Sequence, residues 1–337
     1  MRLNSLFAVV VSGSLGVLAL SSIGCGGGSG SSTGGGGSAT TGGSTGGGGG
    51  STSASPCDPQ CDANKNVKSA CVAIEDNSAA TTYNLRMSQL TLKAPAALTA
   101  EKNPVVAGII AKAVTMNLPD CNLNGTGTFS WLLQFDTATG KLKTGGAEIQ
   151  ADPSAGYCFV NQMLGGQNVA PLTVDAAPDA DGKFSVSVGG DVVVPIFLGD
   201  AAHYVLLPLK NAKIINATLS KDHNCIGKYN AENLDPGAMC LPPEFTNAAT
   251  LDAFITLEDA DTVQVEPLKE TLCALLTGEN DGGMPKKCKR DANNKITSKG
   301  DWCAATDMAA DASCADAFKL GADFAASGVK ITGDCAM

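Results

Sequence analysis

The chain has 337 residues, and its 23 basic and 33 acidic side chains leave a formal net charge of −10. An acidic surface of that size repels phosphate backbones and excludes nucleic acid as a natural partner. Aromatic residues make up only 5% of the chain, too few for the stacking platforms on which carbohydrate-binding modules depend.

The amino terminus places Arg2 ahead of an apolar run, Leu6–Leu20, broken by Ser12, Gly13, Ser14 and Gly16. A basic start, a short apolar region and small residues have the layout of a secretory signal, here over residues 1–24. The run falls short of the about 20 predominantly apolar residues that a membrane span needs. Ser21-Ser22-Ile23-Gly24-Cys25 resembles the lipobox of bacterial lipoproteins, with Ser22 standing where that motif usually has Leu. The resemblance implies cleavage before Cys25 and acylation of Cys25, with the acyl chains as the membrane contact. Two or three chains hold firmly where a single one binds only marginally. Cysteine parity agrees: setting Cys25 aside from the 13 Cys leaves an even number that can all pair. Loss of Arg2 with the signal leaves 22 basic against 33 acidic residues, a net charge of −11.

After Cys25 comes a stretch to Pro56 with 15 Gly in 31 residues and no charge. Residues 25–56 therefore read as a lipidated cysteine and a flexible tether with a root-mean-square reach of about 30 Å. Gly42-Gly43-Ser44-Thr45-Gly46 matches the GxSxG nucleophile elbow in letters only, because that motif needs a strand before it and a helix after it. Residues 57–82 form a polar segment with Cys57, Cys61 and Cys71. Residues 83–245 are β-rich and hold Cys121, Cys158, Cys225 and Cys240; residues 246–337 hold Cys273, Cys288, Cys303, Cys314 and Cys335. Zinc would need CxxC-type ligand pairs and the chain has none, so these twelve cysteines are expected in disulfides, which implies an oxidising compartment.

In chain order, Leu90 and Leu92 alternate with polar residues in a strand ending at Pro95, and Asn103-Pro104 caps a helix over Val105–Val114, a stretch whose Val and Ile also suit a buried strand. Thr128–Asp136, the turn Thr137–Gly140 and Lys141–Ile149 make a hairpin. Short strands follow at Tyr157–Val160, Lys183–Val188, Val192–Leu198, Tyr204–Leu209 and Lys213–Leu219. Pro195 and Pro208 cannot donate to a ladder, which assigns their strands to edges or bulges. Thr250–Leu257 and Pro267–Thr277 read as helices, and the Ala-rich stretch Asp301–Ser327 reads as a third. In that helix Cys303 and Cys314 share a face without pairing and staple it to its neighbours. The fold class expected is α+β: an antiparallel β-sandwich or open barrel, followed by a disulfide-stapled helical carboxy-terminal region packed on it. If the four middle cysteines pair among themselves, with Cys121–Cys158 and Cys225–Cys240 as a first guess, at least one disulfide must join residues 57–71 to residues 273–335.

Little in the sequence signals catalysis. The imidazoles are His203, at the start of an apolar strand, and His223, in the turn Asp222-His223-Asn224-Cys225, and no serine has an elbow context. Glu258-Asp259-Ala260-Asp261 offers carboxylates of the kind glycosidases use in pairs. Asp179-Ala180-Asp181-Gly182 resembles half a calcium loop, but the EF-hand frame would begin at Ala177 and end at Val188, so the pattern fails. Asp175, Asp179 and Asp181 stay as calcium candidates beside the simpler reading of an Asp-Gly turn. Trp131 is assigned to the core, and Trp302 to packing on the Cys303 disulfide.

Asn122-Leu-Asn-Gly-Thr-Gly-Thr-Phe-Ser-Trp131, Ala155-Gly-Tyr-Cys158-Phe, Asn224-Cys-Ile-Gly-Lys-Tyr229 and Gly300-Asp-Trp-Cys303 give residues 83–330 the look of cysteine-rich, uncharacterised lipoproteins of myxobacteria and related soil bacteria. The resemblance implies a Gram-negative envelope and attachment to the outer membrane at its periplasmic or surface face, and no particular activity. The expectation is a monomeric, non-enzymatic binding or structural lipoprotein without a cofactor, whose partner is an apolar small molecule or an envelope protein. The rival expectation is a secreted carboxylate-dependent hydrolase.

Overall fold

A computed structural model describes residues 71–118, 123–197, 199–229 and 245–335. The signal, Cys25, the tether and Cys57, Cys61, Cys121 and Cys240 lie outside the described residues. Strand accounts for 46% and helix for 12% of the structure, which is a curled half-barrel sheet with disulfides that include the carboxy-terminal ones. The α+β class with a β-rich body is therefore as expected.

The strands that build the curl are β1 (Thr82–Ala94), β2 (Ser130–Asp136), β3 (Lys141–Ala147), β4 (Tyr157–Phe159), β5 (Leu172–Asp175), β6 (Lys183–Ser187), β7 (Asp191–Phe197), β8 (Tyr204–Thr218), β9 (Ala249–Thr256), β10 (Ala317–Gly328) and β11 (Ile331–Asp334). Their order across the sheet is β6-β8-β9-β10-β1-β2-β3-β4-β11, with β7 paired to β8 and β5 paired to β3. The β2–β3 hairpin closes with Asp136 opposite Lys141, as the turn residues predict. Strands β6 and β7 run one after the other along β8, Lys183 opposite Thr218 and Phe197 opposite Tyr204, making one long ribbon. Pro195 is tolerated because β7 has a ladder partner on one side only. At Gly146 a Cβ would stand 2.5 Å from Pro195 Cγ, so the missing side chain lets the ribbon close against β3.

Alternating apolar residues from β1–β3 and β5–β10 fill the concave side. Leu85, Met87, Leu133, Phe135, Leu142, Phe184, Val186, Ile214 and Phe324 form its centre. Phe135 and Phe184 meet edge to face across the curl, with ring centroids 5.1 Å apart. The helix α1 (Pro104–Val114) has Asn103 as N-cap, its side chain accepting from Val106 N, and sends Ile110, Ala113 and Val114 into the same core. Phe129 N donates to Ala113 O, which puts α1 at the end of β2 opposite Asp136. The convex side carries a second core, where Val72 and Ile74 cover Leu132, Tyr157, Phe159 and Ala325.

Several local expectations are overturned. Ala317–Gly328 is a strand, not a helix: it lies between β1 and β9, where small residues let both neighbours approach and two-sided burial outweighs the helix preference of Ala. Residues 249–256 form a strand for the same reason, and the helix α2 (Leu257–Thr262) starts only after Thr256, whose hydroxyl accepts from Asp259 N. The helix α3 (Leu272–Thr277) starts at its cap Thr271 and not at Pro267, and it ends at Thr277 as predicted, capped by the left-handed Gly278. The 245/246 division does not interrupt the sheet, since β9 and β10 sit between β8 and β1.

The disulfide pattern also differs. Cys303 pairs with Cys314, because that stretch is a β-turn structure and not a helix; Cys273 pairs with Cys288. Cys71 pairs with Cys225 and Cys158 with Cys335. These bonds replace the guessed Cys121–Cys158 and Cys225–Cys240, and they use every carboxy-terminal cysteine, so none remains to bridge to residues 57–71. The premise that the middle four pair together fails because the sheet order brings Cys225 beside the chain's Cys71 segment and Cys158 beside its last strand. Multiple disulfides place the body in an oxidising compartment, and among the described residues no helix is long and apolar enough to cross a membrane.

Candidate functional site: a cleft at the open end of the curl

Six strand ends converge at the rim opposite α1. There Tyr83 stands near the start of β1, β2 ends in Phe135 and Asp136, and Gly140 leads into β3. The link Ala176–Gly182 joins β5 to β6, and Leu219–Lys221 with His223 follow β8. Together they line a cleft of about 310 Å³. Its inner end is the side-chain-filled core.

Each wall is fixed by its own turn chemistry. Asp136 Oδ1 accepts from Ala138 N at 2.9 Å and Thr139 N at 3.4 Å. The Thr139 side chain, more than any other group, holds the Asp136 carboxyl below the ordinary carboxylate pKa. Asp179 Oδ1 accepts from Asp181 N at 2.9 Å and Lys183 N at 2.8 Å, which folds the Asp-Ala-Asp-Gly stretch into an Asx turn. Gly182 closes that turn at φ +78°, where a Cβ would lie 2.3 Å from Leu219 O.

His223 occupies the opposite wall in a left-handed conformation, φ +59°, and its ring stacks on Tyr83 with centroids 3.8 Å apart and planes 7° from parallel. A dense hydrogen-bond set holds this strained turn. Ser220 Oγ accepts from Asn224 N and Cys225 N, and Asn77 Nδ2 donates to His223 O at 2.9 Å. Asn224 Nδ2 donates to both Asp76 and Asp222, and the Cys71–Cys225 disulfide locks the turn from behind. Burial works against the Asp222 carboxylate, yet bonds from Ser220 and from Asn224 outweigh it and keep its pKa low.

The candidate catalytic groups do not assemble into a reactive set. Ser220 Oγ donates to Asp222 Oδ1, and His223 Nδ1 is buried without a hydrogen-bond partner, so Ser220, Asp222 and His223 make no relay. His203 Nδ1 lies 2.8 Å from Asp200 Oδ1, but both are exposed at the tip of the ribbon. In the Glu258–Asp261 run every carboxylate has a structural partner: Glu258 and Asp261 hold Arg290, and Asp259 takes the Thr256 hydroxyl.

The calcium candidates are separated by their partners: Asp175 pairs with Lys141 Nζ at 2.5 Å while Asp179 caps its turn. Two Cys and one Asp come together twice among the described residues, as Asp261 with Cys273 and Cys288 and as Asp316 with Cys303 and Cys314. In both groups the sulfurs are bonded to each other and offer no thiolate to a metal. Trp131, assigned to the core, is half-buried and packs against it, its Nε1 donating to Thr144 Oγ1 at 2.8 Å. Trp302 donates to Asp307 and lies beneath Lys319, whose Nζ is 4.1 Å from the ring centroid.

Sequence reasoning identified His223, Asp179 and Asp181 but not Tyr83, Phe135, Asp136 or Lys221 as their companions. The available signal was two turns opened by Asp, at Asp179–Gly182 and Asp222–Asn224, each adjoining an apolar strand end. Comparison with protein-family models, with curated proteins and with solved structures finds no match to this chain.

Proposed function

We propose that the chain is a lipid-anchored envelope lipoprotein, non-enzymatic, whose body binds a small ligand in the rim cleft. The observation that carries the binding reading is the site itself: a concave cleft at the open end of a filled curl, a recurrent place for ligands in β-barrel folds. Support for the anchor comes from cysteine parity. The four disulfides use eight cysteines, and Cys57, Cys61, Cys121 and Cys240 form another even set, which leaves Cys25 as the odd one. The anchor, the tether and the acidic body fit an outer-membrane position.

Two experiments test this reading. Feeding an alkyne-tagged fatty acid to expressing cells labels the wild-type chain, and Cys25→Ser abolishes the label and releases the protein from the membrane fraction. Equal labelling of both would remove the anchor. Native mass spectrometry of the exported chain shows a small-molecule adduct that Ala177→Trp, which fills the cleft, displaces. An adduct unaffected by that substitution would move the ligand elsewhere.

A further inference from the structure

The lining of the cleft points to the chemistry of its occupant, taking as given that the cleft binds a ligand. Its charges are unequal: Asp136, Asp179 and Asp181 face Lys221, and His223 supplies the only imidazole. Asp181 and Asp179 Oδ2 take no side-chain hydrogen bond or ion pair from another described residue, and neither does Lys221 in an ion pair. The carboxylates do not gather into a cluster of three side-chain ligand atoms among the described residues. Beside the acidic rim stands an apolar wall made by the Tyr83–His223 stack, Phe135, Ala176 and Pro178.

An apolar wall ending in unpaired carboxylates suits a cation carried on an alkyl stem, which lays its methylenes on the wall and keeps its head at the acidic rim. We infer that the cleft receives a basic side chain of a peptide, with the ammonium or guanidinium between Asp179 and Asp181 and the stem against Tyr83 and Pro178. The net negative charge of the whole body draws such a partner toward the rim.

Asp179→Asn and Asp181→Asn test this cleanly, because an Asn side-chain oxygen keeps the turn-capping bonds while the charge is lost. The probes are acetyl-Gly-Lys-Gly-amide, the same peptide with norleucine for Lys, and the same peptide with Glu for Lys. Each is titrated by calorimetry into the full exported chain in detergent, and calcium chloride is titrated separately. The expected result is binding of the Lys peptide alone, weakened about tenfold or more in the double Asn variant and weakened again in Tyr83→Ala, with the thermal midpoint of the Asn variant unchanged. Binding of the norleucine or Glu peptide at equal strength overturns the charge assignment while leaving a ligand-binding cleft intact. Calcium binding lost in the double Asn variant overturns the organic-cation assignment in favour of a metal. No heat from any probe, together with no adduct in the native mass spectrum, overturns the binding reading itself.

Discussion

Replacing Asp261 by Ala is expected to be the most damaging single change to the carboxy-terminal part of the body. Its side chain is 3% exposed and lies beside the Cys273–Cys288 disulfide. Three donors converge on it: Thr271 Oγ1 at 2.9 Å, Cys288 N at 2.8 Å and Arg290 Nη2 at 2.8 Å. Thr271 and Cys288 are themselves 0% and 1% exposed, so water cannot replace the lost acceptor. Each orphaned buried donor costs about 1–3 kcal/mol; Arg290 is 27% exposed and keeps Glu258, so Thr271 Oγ1 and Cys288 N carry the loss, and about 4 kcal/mol in total is the expectation. Glu258 pairs with the same guanidinium but is 59% exposed, so Glu258→Ala should cost less than about 1 kcal/mol. Urea unfolding with the disulfides intact measures both, and hydrogen exchange at the Cys288 amide reads the broken bond directly. A loss below about 1 kcal/mol for Asp261→Ala, or equal losses for the two variants, would refute the reasoning.

Two further outcomes follow from the same physics. The Cys158–Cys335 bond closes a loop of 177 residues, for which chain entropy gives about 5 kcal/mol as an upper bound; Cys158→Ser with Cys335→Ser should lower the thermal midpoint by several degrees, and an unchanged midpoint would contradict this. Lys143, by its hydrogen bond, holds the Asp334 carboxyl below its ordinary pKa, so the folded state binds this proton less readily than the unfolded chain. That stabilisation is complete above the unfolded value of about 3.9 and is lost as pH falls through the lower folded value. With Asp334 40% exposed it amounts to less than about 1 kcal/mol, so Asp334→Asn should be slightly less stable than wild type near pH 6 and indistinguishable from it near about pH 2. A gap that persists in acid would show that packing, and not charge, is responsible.

How much was legible in the sequence depends on what each segment faces. Lys183–Ser187 alternates because one face meets the core and the other meets water, and its strand is visible residue by residue. Ala317–Gly328 has no such contrast: flanked by two strands and buried along most of its length, it contains the small residues that local propensity reads as helix. The turn chemistry of Asp179–Gly182 and the cap at Asn103 are local, and both were readable. The cleft was only partly readable, because Tyr83, Asp136 and His223 are brought together by the sheet order, and antiparallel partners far apart in sequence leave no local signature. Cysteine parity predicted that the chain is extensively cross-linked; it did not predict the partners, which the same long-range order decides.

That order has a consequence for how the chain becomes a body at all. The strand that joins the two halves of the sheet, β10, comes after every other described strand of the curl except β11, and it pairs Gly328 with Leu85. Until residue 328 is available, β1 and β9 have no bridge and the curl cannot close around its core, and the Cys158 thiol must wait for Cys335. Topologies dominated by such distant pairings fold slowly. A keystone strand that follows almost every other strand in the chain lets the curl close only once nearly all of its strands are present.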